Sequence, residues 1–234
     1  MQKIISSPVF NSVLYFGRKN CIYSNKIKTF LKRHSRKFQY IESKNISTKL
    51  FSTEIKLDQY DYIFCFRSFF VFKKNILNRC KKAAINFHPG TPEYREIGCI
   101  NYALYNEAKY YGSTAYIMDE KIDNGKILNV KRFKIGKKEN IESCSIKTNR
   151  LMFKQATHII KLLLKNEKNL QKLINSANKE KWSKKIKVRT KLDEFYRVST
   201  NISKRNFLKK LRATKTQNFK PYILLHSKKF ELKD

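Results

Sequence analysis

Tyr62-Ile63-Phe64-Cys65-Phe66 is an unbroken apolar run. Successive strand residues face opposite sides of a sheet, so a half-exposed strand alternates apolar and polar side chains. An unbroken run predicts a strand covered on both faces, as in a parallel sheet flanked by helices. The neighbouring segments fit that plan. Residues 12–17 predict a first strand ending on a glycine turn. Residues 24–32 carry Ile27, Phe30 and Leu31 at helical spacing and predict a first helix. Residues 37–41 predict a second strand, 74–80 a short helix and 83–87 the next strand, with 42–60 polar and irregular. This alternation predicts an α/β domain with a mainly parallel sheet. Such sheets bind ligands beyond the carboxyl ends of their strands.

Further along, residues 98–108 predict a helix, and 113–118 and 127–135 two strands. Between these strands lies Asp123-Asn124-Gly125, whose Asn-Gly pair is a turn signal because both residues tolerate positive φ. A long helix is expected from Asn140 or Ser143 to Lys165, with Leu151, Met152, Ala156, Ile159, Ile160, Leu163 and Leu164 as its apolar stripe. His158 lies in its apolar part and is expected to be half in the core; His34 and His226 are expected at the surface or in packing. The chain then turns rich in Lys and Asn. The expected division is a domain over residues 1–165 and a small basic extension over 166–234. That extension should hold short helices at 192–198 and 202–211 and a hairpin at 221–232, with Trp182 as an isolated packing anchor.

The formal net charge of the 234 residues is +34, from 52 basic and 18 acidic residues. A polyanionic partner such as RNA would account for it, and so would compositional drift toward Lys, Asn and Ile. Scattered lysines favour drift, and either way the surface should attract phosphorylated molecules. The cysteines Cys21, Cys65, Cys80, Cys99 and Cys144 include no C-x-x-C and no pairing with His at metal spacing, so no metal site is expected. The first eight residues lack the apolar stretch of a secretory signal, and no run reaches the ~18–20 residues of a membrane span. A cytoplasmic protein with reduced thiols is expected.

The chemistry-bearing stretch is Asn86-Phe87-His88-Pro89, at the end of a predicted strand and followed by Tyr94-Arg95. Tyr111-Gly112-Ser113-Thr114 and Asp119-Glu120-Lys121-Ile122-Asp123-Asn124-Gly125 come next. A carboxamide, an imidazole and a carboxylate near strand ends could perform acyl or formyl transfer: one donates to a developing oxyanion, one moves a proton, one holds the imidazole. In order and spacing these motifs resemble the formyltransferases that use 10-formyltetrahydrofolate. That family includes enzymes acting on glycinamide ribonucleotide, methionyl-tRNA and nucleotide-linked amino sugars.

The resemblance implies a Rossmann-like α/β formyltransferase core and 10-formyltetrahydrofolate as cosubstrate. It implies Asn86, His88 and Asp123 as the catalytic trio. It places the folate beside Phe69, Phe70, Val71 and Phe72, with Ile122 opposite. It suggests Gly17, Arg18 and Lys19, with Tyr94 and Arg95, for the amine substrate, because some members hold a substrate phosphate after the first strand. The expected acceptor is a phosphorylated or nucleotide-linked amine, most of all an amino sugar, with a homodimer as assembly. A methionyl-tRNA or glycinamide ribonucleotide acceptor, or an inactive RNA-binding member, are the alternatives; no membrane partner is expected. Four departures from the family pattern stand out. Glu96 occupies a place where the family usually has Gly, Gly90-Thr91-Pro92 follows Pro89 in place of the common Ser-Leu-Leu-Pro, Ser113 replaces a usual Val, and Tyr116 stands where many relatives have His.

Overall fold

The computed structural model describes residues 8–185, 189–217 and 219–232. Its centre is a six-stranded sheet built from β1 (Phe10–Arg18), β2 (Ser35–Ser43), β3 (Tyr60–Phe66), β4 (Cys80–His88), β5 (Tyr110–Ile117) and β6 (Ile127–Lys134). The strand order is β2-β1-β3-β4-β5-β6. The first four run parallel, and β5 and β6 are antiparallel additions on one side. The fold is therefore the α/β, mainly parallel sheet that the apolar runs predict.

The unbroken runs sort into two layers because strand residues alternate faces. Val13 and Tyr15 of β1, with Tyr62, Phe64 and Phe66 of β3 and Ile85 and Phe87 of β4, face one core. Two helices cover it, α1 (Ile22–Arg33) through Ile27 and Leu31, and α4 (Ile141–Lys165) through Met152, Ala156, Ile159, Ile160 and Leu163. Each such side chain contributes about 1.5–3 kcal/mol when fully buried. Leu14, Phe16, Ile63, Cys65 and Ala84 face the other way. That face is covered by the connections before and after β3, the first holding a 3-10 turn at Ser52–Glu54 and the second the short α2 (Lys74–Leu77). A loop and a short helix cover less of the sheet than a long helix, and the cleft opens there.

Differences from the sequence reading are local. The helix expected over 74–80 ends at Leu77, because β4 already begins at Cys80. His158 is exposed rather than half in the core: it sits on the outer side of α4, one residue before the buried Ile159. The Lys- and Asn-rich stretch hides a helix, α5 (Asn169–Ser176). Its Leu170, Leu173 and Ile174 fall at helical spacing and pack against the α1/α4 core. The chain continues through α6 (Arg189–Tyr196), α7 (Lys204–Thr214) and the hairpin β7 (Tyr222–Leu225) and β8 (Lys228–Glu231). α7 packs on α3 (Cys99–Tyr105), where Asn101 Nδ2 donates to the Ala213 carbonyl at 2.7 Å.

Burial pushes the phenols of Tyr15 and Tyr111 well above the ordinary range. The folded state then holds these protons more tightly than the unfolded chain does. Below about pH 10 both states are protonated and stability is intact; above it the unfolded chain loses protons first and stability falls. We predict a lower denaturation midpoint at pH 11 than at pH 9. In spectrophotometric titration these two phenols should ionise only with unfolding.

Candidate active site

Asn86 and His88 are two residues apart on β4 and so project from the same face. Phe87 between them enters the α1/α4 core and anchors the strand end. The two polar side chains thus emerge on the thinly covered face, at the carboxyl end of the strand. Asp123 reaches them from the loop between β5 and β6. It has φ 45°, in the left-handed region that Asp tolerates better than most residues. The positive φ falls on Asp123 and on neither residue of the Asn124-Gly125 pair. The connection is accordingly a wide loop from Met118 to Lys126, not a tight hairpin turn.

Asp123 is the meeting point of the site. Its Oδ2 lies 3.2 Å from His88 Nδ1 and accepts from the Glu96 backbone N–H at 3.0 Å. Its Oδ1 accepts from the Tyr116 hydroxyl at 2.9 Å. Tyr116 in turn accepts from Asn86 Nδ2 at 2.9 Å. His88 and Asp123 are only 6% and 4% exposed, so these contacts operate largely out of water. On the other side of the ring, His88 Nε2 lies 3.6 Å from Cys99 Sγ, whose thiol donates to the Glu96 carbonyl. Burial pushes the Cys99 and Cys65 thiols up, the latter to about 12, so both stay protonated and unreactive.

The other motif residues hold the loop after His88. Tyr111 donates its hydroxyl to the Pro89 carbonyl and Thr114 to the Gly90 carbonyl, both at 2.7 Å. A Cβ on Gly90 would lie 2.5 Å from His88 Nε2, so only glycine leaves the imidazole its place. Ser113 donates to Gln155 of α4 at 2.8 Å, tying the sheet to the helix. Glu96 takes φ 67°. That is the left-handed region, which a non-glycine residue adopts at a strain of order 1–3 kcal/mol.

Trp182, expected only as an isolated packing anchor, stands beside the trio. From the C-terminal part it donates Nε1–H to the Gly125 carbonyl at 2.7 Å and stands edge-on to Tyr116 and His88, with centroids 5.1 and 6.1 Å away. Ser183 N–H donates to the Pro92 carbonyl at 2.9 Å. Arg95, buried beneath, donates to the Ile122 carbonyl at 2.7 Å and lies over the Trp182 ring. The single tryptophan of the chain was the available signal, but a lone aromatic in a polar stretch does not say which loops it clamps.

The cleft beside the trio has a volume of about 630 Å³. Phe69, Phe70, Val71, Phe72 and Ile122 all line it. Val71 and Ile122 remain 62% and 53% exposed, apolar surface that folding alone leaves wet. Arg18 and Arg67 also line the cleft, and neither guanidinium has a carboxylate partner among the described residues. Arg18 stacks over Phe69 at 4.3 Å. Burial, then the neighbouring Arg67 cation, pushes its pKa down. Of the residues assigned to the amine, Arg18 alone is at the cleft. A Cβ on Gly17 would meet Ser24 Oγ at 2.1 Å, so this glycine serves the packing of α1. The amides of Arg18 and Lys19 are bonded to Ser24 Oγ and the Ser43 carbonyl, so neither is free for a phosphate. Tyr94 and Arg95 lie off the cleft lining, and Arg95 is spent on the loop carbonyls.

Residues 16–156 match the family model described as formyl transferase. The chain belongs to the formyl transferase family. It shares 38% identity over 78 residues with the methionyl-tRNA formyltransferase of Thermodesulfovibrio yellowstonii, a match covering 33% of this chain and a quarter of that relative's length. Among solved structures it resembles a sugar N-formyltransferase from Shewanella sp FDAARGOS_354, with TM-score 0.68 and 17% identity over 94% of this chain and 96% of that one. It also resembles the N-formyltransferase from Helicobacter canadensis in complex with folinic acid and dTDP-3-aminofucose. There the TM-score is 0.64 and the identity 16%, over 94% and 86% of the two chains. Among the described residues of this formyltransferase no helix is long and apolar enough to cross a membrane, and no cluster of His, Cys, Asp and Glu could hold a metal ion.

Two variants test the clamp. Trp182→Ala should cost about 2 kcal/mol in denaturant unfolding, less than the ~3–5 kcal/mol of a fully buried aromatic because the ring is half-buried. Gly90→Ala should lower that midpoint too, because its Cβ would lie 2.7 Å from the Tyr94 carbonyl oxygen as well as 2.5 Å from His88 Nε2, and it should displace the His88 imidazole, seen as shifted His88 ring resonances by NMR.

Proposed function

We propose that this formyltransferase transfers the formyl group of 10-formyltetrahydrofolate to the primary amine of a nucleotide-linked amino sugar. The observation that carries the reading is the convergence of Asn86, His88 and Asp123 on one wall of an apolar cleft. The residues present fit a folate. Phe69, Phe72, Val71 and Ile122 offer flat apolar walls to a pterin, and Arg18 and Arg67 are unpaired cations for an anionic end.

The amine attacks the formyl carbon and negative charge develops on the formyl oxygen. When the carbonyl re-forms, the bond from that carbon to the folate nitrogen breaks and tetrahydrofolate leaves, its nitrogen taking up the proton that the amine gives up. Asn86 has one N–H engaged by Tyr116 and the other available to that oxygen, at no reorganisation cost. His88, held by Asp123 through Nδ1, supplies positive charge or a proton as the oxyanion forms. The fixed Asp123 carboxylate orients the imidazole and can accept the amine proton through water.

The amino-sugar acceptor is supported by length and fold. The chain aligns with nearly the whole of the Shewanella sugar N-formyltransferase, but with only a quarter of the methionyl-tRNA enzyme. That segment of 38% identity, together with the net charge of +34, keeps methionyl-tRNA as the second reading.

The test is tetrahydrofolate release from 10-formyltetrahydrofolate with dTDP- and GDP-linked amino sugars, glycinamide ribonucleotide and methionyl-tRNA. We expect turnover with an amino sugar; preference for methionyl-tRNA would reverse the order of the two readings, and no turnover with any amine would remove the enzyme reading. His88→Ala and the isosteric Asp123→Asn should each lower kcat by about 10²–10⁴ without loss of fold by circular dichroism. Arg18→Ala should raise the KM of the anionic substrate about tenfold with kcat little changed, as loss of a charge-assisted contact does.

A further inference from the structure

The residue at position 116 departs from the family pattern, and its surroundings say what the departure does. Asn86 and Tyr116 are direct partners in the antiparallel β4–β5 register, so their side chains share one face. Tyr116 is 4% exposed, and Trp182 stands edge-on against it. Its hydroxyl lies 2.9 Å from Asp123 Oδ1 and 2.9 Å from Asn86 Nδ2.

Proton counting decides the direction of both bonds. A carboxylate only accepts, so the single hydroxyl proton of Tyr116 points to Asp123. The hydroxyl oxygen then faces Asn86 with lone pairs alone. The near atom of the carboxamide must be a donor, and the flipped amide would set Oδ1 against that oxygen with no proton between them. Burial, and then the Asp123 charge, pushes the Tyr116 phenol well above its ordinary range, so the proton stays in place at neutral pH. The carboxylate also polarises the hydroxyl and makes its oxygen a better acceptor for Asn86.

We infer that Tyr116 is a positioning residue for formyl transfer: its hydroxyl, committed to Asp123, fixes the Asn86 carboxamide in one orientation and keeps its second N–H for the formyl oxygen. This rests on the reading of the cleft as a formyl-transfer site. Phenylalanine at 116 would fill the same space and keep the edge-on packing, but would leave the amide free to flip.

The experiment compares the wild-type chain with Tyr116→Phe. Turnover is followed as tetrahydrofolate release with the accepted amine. In parallel, the Asn86 side-chain amide is observed by NMR in 15N-labelled protein, assigned by its disappearance in Asn86→Ala. We expect kcat to fall about tenfold to hundredfold, approaching the loss of an oxyanion donor, with KM of the amine within about twofold. We also expect the two Asn86 amide protons, distinct in shift and slow to exchange with solvent in the wild type, to converge and exchange faster in Tyr116→Phe. A kcat kept within about twofold, or Asn86 amide signals identical in both proteins, would overturn the assignment. A wild-type chain that formylates no amine would instead remove the proposed function, and the amide signals would then decide the Tyr116–Asn86 link alone.

Discussion

The site depends on one carboxylate and what it accepts. Asp123 receives the His88 imidazole, the Tyr116 hydroxyl and the Glu96 backbone N–H. Those three groups come from the end of β4, the end of β5 and the loop after Arg95. The β4–β5 pairing brings the two strand ends together, and the buried acceptor joins the loop to them. A buried carboxylate is costly unless its lone pairs are filled, so the arrangement is self-enforcing: each donor lost would leave charge uncompensated at 4% exposure. The same arithmetic fixes the direction of every bond in the chain from Asp123 through Tyr116 to Asn86.

The loop that carries Asp123 has little of its own to hold it. Its stability is borrowed from Trp182, which bonds the Gly125 carbonyl, and from Arg95, which bonds the Ile122 carbonyl. Arg95 also reaches the Ser183 carbonyl, and Ser183 reaches Pro92. Residues beyond the matched family segment 16–156 are therefore wired into the loops of the candidate site. Left-handed backbone at Glu96 and Asp123 is tolerated because these contacts over-determine both positions. Rigid loops with fixed dipoles suit chemistry whose main demand is charge stabilisation.

Legibility varied with the range of the interaction. The parallel strands could be read directly, because burial on both faces demands unbroken apolar runs such as 62–66. The Asn86/His88 pair was readable for a similar reason, since period-two alternation puts both on one face beside the buried Phe87. α5 was missed because three apolar residues among Lys and Asn are a faint stripe, and it needs β6 and the core beneath to be stable. Gly17 and Lys19 were assigned to ligand from their place after a strand. Gly17 is in fact packed against Ser24 and Tyr40, and the Lys19 amide is bonded to the Ser43 carbonyl; Tyr40 and Ser43 are distant in sequence. Arg95 was assigned outward for lack of any local sign that it would be buried.

The sequence by itself determined the α/β plan, the family motifs and the chemical identity of the trio, because these follow from side-chain type and short-range periodicity. The tertiary structure alone decided that Tyr116 joins Asn86 to Asp123, that Trp182 clamps the site, and that Arg18 and Arg67 face the cleft without carboxylate partners among the described residues. Those outcomes depend on strand register, on a loop folding back across the sheet and on which carbonyls lie within hydrogen-bond reach. No local pattern encodes them, because each is a distance between segments that meet only when the core closes.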